Sequence, residues 1–67
     1  MIRCRLAILM GERKLRIADV ARETGLSRGT ITAYYKESAI RVELGDIDLI
    51  CGYLECEVGE LFERVAD

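Results

Sequence analysis

The break at Gly25 between two short apolar periods constrains this chain more than any other feature. On its N-terminal side Ile17, Val20 and Ala21 recur at helical spacing, predicting a helix that ends at Thr24. Gly25 then fits the residue just past a helix end, where the backbone takes a positive φ that a Cβ makes costly. Beyond it Ser27 predicts an N-cap, its hydroxyl accepting from the backbone N–H of Gly29 or Thr30. The helix that follows runs to about Tyr35. Its Ile31 and Tyr34 face inward with Leu26, while Arg28, Gly29, Thr32 and Ala33 fall on its other sides.

Helical spacing extends over the rest of the sequence. Leu6, Leu9 and Met10, preceded by Ile2, predict a first helix over residues 3–13, with Arg13 and Lys14 in its last turn where cations suit the helix dipole. Leu15 falls in the connection. Residues 36–43 show no period and predict the longest loop. Leu44, Ile47, Ile50, Cys51 and Leu54 then mark a fourth helix, and Val58, Leu61 and Phe62 a short last one that Glu57 opens. In the loop, apolar Ala39, Ile40 and Val42 either cap the core or face a second subunit. With 67 residues, half of them apolar, and no proline, the expectation is a single all-α domain over residues 1–67, too small for a second core.

The net charge of −2 conceals a strong polarity. Residues 1–36 carry Arg3, Arg5, Arg13, Lys14, Arg16, Arg22, Arg28 and Lys36 against Glu12, Asp19 and Glu23, a net +5. Residues 37–67 carry Arg41 and Arg64 against nine carboxylates, a net −7. Such a molecule can turn a basic face to DNA while its acidic half stays clear of the phosphates. No uncharged run approaches the roughly 20 residues that span a bilayer, and nothing resembles a signal peptide, so the expected location is the cytoplasm. Cys4, Cys51 and Cys56 sit at apolar helical positions, which suits buried reduced thiols; zinc is the alternative, although the chain has no histidine and no Cys-x-x-Cys pair. No cofactor or metal is expected. Without histidine or a phosphate-cradling glycine loop, an enzyme is not expected either. Glu43, Asp46 and Asp48 fall on the polar face of the fourth helix, as solvated charge.

A bihelical DNA reader needs a small residue inside its first helix, a glycine in the turn and a branched apolar residue inside its second. Ala21, Gly25 and Ile31 supply these in order. With Val20, Leu26 and Ser27, the stretch IADVARETGLSRGTITAYY resembles the helix-turn-helix of the Cro and lambda-repressor-like (Xre) family of transcriptional regulators. The resemblance covers nearly the whole chain: LGDIDLICGYLECEVGELFE is similar to the family's closing helices. It implies a five-helix lambda-repressor-like domain whose helix 28–35 lies in the major groove, with the preceding helix across the backbone.

Carried over by position, the resemblance implies base contacts from Ser27, Arg28, Gly29, Thr32 and Ala33. Arg28 can donate twice to guanine O6 and N7, Thr32 offers a hydroxyl or a methyl, and Ala33 only an apolar contact. Arg16, Arg22, Tyr35 and Lys36 are placed to meet phosphates; otherwise they are solvated charges or a partly buried tyrosine. Two positions depart from the family pattern. Ile17 stands where many members carry a glutamine that reaches phosphate and braces the recognition helix, and isoleucine does neither. Gly29 removes a side chain that often reads a base. The expected function is a sequence-specific transcriptional regulator, a repressor by preference, acting as a homodimer on an operator. The alternative is a protein-interaction module that offers its acidic C-terminal helices to another regulator, RNA polymerase or a toxin. A switch protein of a phage or plasmid would also suit the family.

Overall fold

A computed structural model describes residues 1–66; Asp67, counted above in the acidic half, lies outside them. Its elements follow in the order β1 (Ile2–Cys4), α1 (Leu6–Glu12), α2 (Ile17–Thr24), α3 (Arg28–Tyr35), α4 (Leu44–Leu54), α5 (Val58–Leu61) and β2 (Phe62–Arg64). Five helices therefore enclose one core, and a two-stranded antiparallel ribbon ties the chain ends together, pairing Ile2 with Arg64, Arg3 with Glu63 and Cys4 with Phe62. Leu6, Met10, Val20, Ile31, Ile50 and Leu61 are the largest fully buried side chains, so every helix contributes one. No helix among the described residues is long and apolar enough to cross a membrane.

The ribbon changes both ends of the expected helix pattern. Residues 3–5 do not open α1. The Arg5 N–H donates to the Leu61 carbonyl at 2.7 Å, and the Val65 N–H donates to the Met1 carbonyl at 2.8 Å. Pairing between the two ends of the chain thus takes the main chain that a longer α1 would have used, and Ile2 lies exposed on the ribbon rather than on a helix face. Phe62 likewise leaves α5 for extended backbone at φ −121°, ψ 144°. Leu44 fits the period of α4 but is its first residue, and at 84% exposure it reaches past the core that Ile47, Ile50 and Leu54 fill. Val58 at the start of α5 is exposed for the same reason. Of the three loop residues, Ala39 packs on the core while Ile40 and Val42 face outward.

Four helices end on a residue with positive φ. Gly25 (φ 77°) follows α2, and Lys14 (55°), Glu37 (57°) and Glu55 (53°) follow α1, α3 and α4. In the last three the next N–H closes the turn onto a helix carbonyl five residues back: Leu15 onto Met10 at 2.9 Å, Ser38 onto Ala33 at 2.9 Å and Cys56 onto Cys51 at 3.1 Å. Arg13 is the residue that ends α1 rather than part of its last turn, but its guanidinium still donates to the Leu9 carbonyl at 3.2 Å. The cysteines are free and half-buried rather than fully enclosed. Burial, with the neighbouring Cys56 thiol second, pushes the Cys51 thiol up to about 11, so it stays protonated at neutral pH.

The turn at Gly25 sets how α2 meets α3. A Cβ there would meet nothing within 4 Å, so any cost of adding one is conformational. Gly25→Ala is therefore expected to lower unfolding free energy by about 1 to 2 kcal/mol. Chemical denaturation checks this, with retained helical circular dichroism separating lost stability from a lost fold.

Candidate nucleic-acid interface

Residues 17–35 form two helices joined by a three-residue turn. Asp19 starts α2 by accepting the Arg16 N–H at 2.9 Å, which holds its carboxyl below the ordinary range. At the other end Thr24 is buried; its hydroxyl donates to the Val20 carbonyl at 2.6 Å and accepts the Leu26 N–H at 3.3 Å, bracing both sides of the glycine. Ser27 caps α3, accepting the Thr30 N–H at 3.1 Å and donating to the Thr30 hydroxyl at 2.9 Å. Ala21 and Ile31 are buried where α2 packs on α3.

This arrangement leaves one face of α3 to solvent. Arg28 and Gly29 are exposed, Thr32 and Ala33 half-buried, and Lys36 follows exposed at the end of the helix. Arg28 makes no ion pair or side-chain hydrogen bond among the described residues. Ser27 is exposed too, but its hydroxyl is committed to the cap. Around this face Arg16 is exposed at the start of α2 and Tyr35 is partly exposed at the end of α3. Arg22 is exposed but shares its charge with Asp19 at 3.3 Å and Glu23 at 3.7 Å. The outward row of α3 is therefore a long cation at its start, a hydroxyl in its middle and a cation at its end. A helix of that profile fits the width of a DNA major groove.

The family described as the Cro/C1-type HTH DNA-binding domain matches residues 5–67. The chain belongs to that family. No curated protein matches it. The Cro/C1-type assignment, that of a DNA-binding domain, agrees with the five helices and their order. In this Cro/C1-type domain Ile17 is half-buried and packs on the core.

Two polar contacts that hold α3 of the Cro/C1-type domain are not apparent from sequence spacing. Tyr34, buried on the inner side of α3, donates its hydroxyl to Asp46 at 2.8 Å and accepts the Glu43 N–H at 3.4 Å, tying α3 to the start of α4. Burial first, and the Asp46 contact second, push its phenol up. Asp46, expected to be solvated, therefore has a structural partner. Glu37 takes a forked pair of hydrogen bonds from Arg3, both 2.8 Å, and also accepts the Cys4 N–H at 2.9 Å. One carboxylate thus fastens the residue after α3 to the outer edge of β1. Arg3, counted among the basic charges available to DNA, is spent within the fold.

The Arg3 fork, followed by the Cys4 N–H, lowers the Glu37 carboxyl from its ordinary 4.5 to about 2. A lowered folded-state value means that the clamp contributes fully above about pH 4.5 and fades as pH falls toward 2. Glu37→Gln is expected to melt below the parent at neutral pH, with the gap narrowing between pH 4.5 and 2. Thermal melts across that range check it. At Gly29 an added Cβ would meet only the Ser27 Oγ at 3.8 Å, ordinary contact. Gly29→Ala should therefore raise stability by about 0.5 to 1 kcal/mol, measured by denaturant titration.

Proposed function

We propose that the protein is a sequence-specific DNA-binding transcriptional regulator, a repressor that acts in the cytoplasm as a homodimer of this one domain, residues 1–67. The observation that carries the reading is the outward face of α3, where Arg28 makes no ion pair or side-chain hydrogen bond among the described residues. Arg28 reads a guanine by its two-pronged donor, and Thr32 reads an adjacent base by hydroxyl or methyl. Ser27, Gly29 and Ala33 complete the base-facing set: the first at the cap, the second by close approach, the third by apolar contact. Arg16, Tyr35 and Lys36 hold phosphates on either side. Arg22 joins them once duplex phosphate competes with Asp19 and Glu23. With Arg3 held by Glu37 and the C-terminal half strongly acidic, affinity rests on few cations and falls with a shallow salt slope.

A single module of this size makes limited specific contact, and two-fold pairing doubles it. The reading therefore expects a near-palindromic site with half-sites about 34 to 36 Å apart. Selection from random duplexes with the purified protein should enrich such a motif. On the recovered site Arg28→Ala should cost roughly 1 to 3 kcal/mol and relax the preference at one base pair. Lys36→Ala should weaken all sequences alike. If Arg28→Ala bound every duplex as the parent does, the base-reading role would be wrong. No enrichment even at low salt would favour the alternative, a protein-interaction module that uses the acidic surface of α4 and α5.

A further inference from the structure

The C-terminal end of α4 brings two cysteines together. The helix stops on Glu55 in the left-handed region (φ 53°), and the Cys56 N–H turns back to the Cys51 carbonyl at 3.1 Å. A helix end closed by this bond sets the side chains of the two bonded residues against each other, ordinarily as an apolar contact. The end of α1 is built that way: the Leu15 N–H meets the Met10 carbonyl at 2.9 Å, Met10 is buried, and Leu15 packs on the core. At the end of α4 both positions are thiols, and the Cys56 thiol lies against that of Cys51. Both are reduced and half-buried at the rim of the core. The third cysteine, Cys4, belongs to the ribbon, where Glu37 accepts its N–H.

We propose that Cys51 and Cys56 are a redox-active dithiol that closes reversibly to a disulfide, clasping the start of α5 to the end of α4. Bridging needs two sulfurs brought together by a backbone that does not have to move, and the closed helix end supplies it. The oxidant is a low-molecular-weight disulfide. Cys56, beyond the helix end, attacks first: its thiolate bonds to one sulfur of the oxidant, the oxidant's S–S bond breaks, and the departing thiolate takes up a proton. The Cys51 sulfur then loses its proton and attacks the Cys56 sulfur, forming the internal bond and releasing the other half of the oxidant as a thiol. Two protein thiols are oxidised and one disulfide is reduced to two thiols, so electrons and protons balance. The order follows from Cys51, whose thiol burial pushes up to about 11: too protonated to lead, it acts where its target already lies alongside. The Glu57 and Asp48 carboxylates also bear on that thiol, which favours an uncharged oxidant over an anionic one. Because α5 buries Leu61, whose carbonyl accepts the Arg5 N–H, a clasp on α5 also steadies the ribbon. In the reducing cytoplasm proposed above, the dithiol is the resting state and the disulfide is transient.

The test treats the full chain, folded, with 2-hydroxyethyl disulfide, quenches it with acid and maps its tryptic peptides by mass. No Lys or Arg lies between Arg41 and Arg64, so residues 42–64 form one peptide that carries Cys51 and Cys56 but not Cys4. In the parent that peptide should lose two hydrogens and regain them with dithiothreitol, and the oxidised protein should melt above the reduced one. Cys51→Ser should instead hold a stable hydroxyethylthio adduct on Cys56. In Cys56→Ser the adduct on Cys51 should form at least roughly tenfold more slowly. Circular dichroism verifies that both variants fold, and the parent result stands without them. A peptide 42–64 that keeps both thiols, carries separate adducts, or joins the peptide of Cys4 or of a second chain would overturn the proposal. So would an oxidised protein that melts no higher than the reduced one. Equal rates of adduct formation in the two variants would overturn the order of attack.

Discussion

The left-handed turn at Gly25 is the constraint on which the rest depends. A three-residue turn with φ 77° at its first position sends α3 across α2 instead of onward along it. That crossing buries Ala21 and Ile31 together and leaves Arg28 and Thr32 on the outside. Thr24 makes the turn rigid from one side and Ser27 from the other, each by satisfying main-chain groups that a short helix end would leave open. Without the turn, the same apolar residues could still form helices, but α3 would not lie across α2 with Arg28 turned outward.

A helix of eight residues such as α3 is too short to hold itself, and the remainder of the molecule holds it at three points. Its inner face packs Ile31 into the core. Tyr34 reaches Asp46 and the start of α4, and Glu37 reaches Arg3 and the ribbon. The last contact explains why the residue closing α3 is a glutamate at φ 57° when glycine would adopt that angle at less cost. Glycine would lose the carboxylate that closes the gap to β1. Lys14 and Glu55 take the same backbone angle without such a clamp, and nothing in the structure explains the choice of residue at those two positions.

The sequence shows the helix-turn-helix plainly because each of its signals is local: an apolar period, a glycine past the end, a serine before the next start. The boundaries of α2, α3 and α4 follow from such signals, and so does the outward row of Arg28, Gly29, Thr32 and Ala33. The ribbon is illegible for the opposite reason. Three residues at each end carry no alternation long enough to register, and their partners lie about sixty positions apart. Only closure of the helical core brings them together. The Arg3–Glu37 and Tyr34–Asp46 contacts share that origin, since charge counting treats Arg3 and Asp46 as free. Polarity along the chain remains, but fewer of its cations face outward than the count implies. Ile17 is inner-facing by its spacing, and it packs there.

The central claim is that α3 enters the major groove and that Arg28 grips a guanine edge from that side. Methylation interference on a selected duplex tests it most directly, because guanine N7 lies in the major groove and adenine N3 in the minor. Methylation at N7 of one guanine per half-site should block binding by the parent, and that block should disappear for Arg28→Ala while the flanking contacts persist. Interference confined to adenine N3, or an N7 pattern unchanged by Arg28→Ala, would contradict the account.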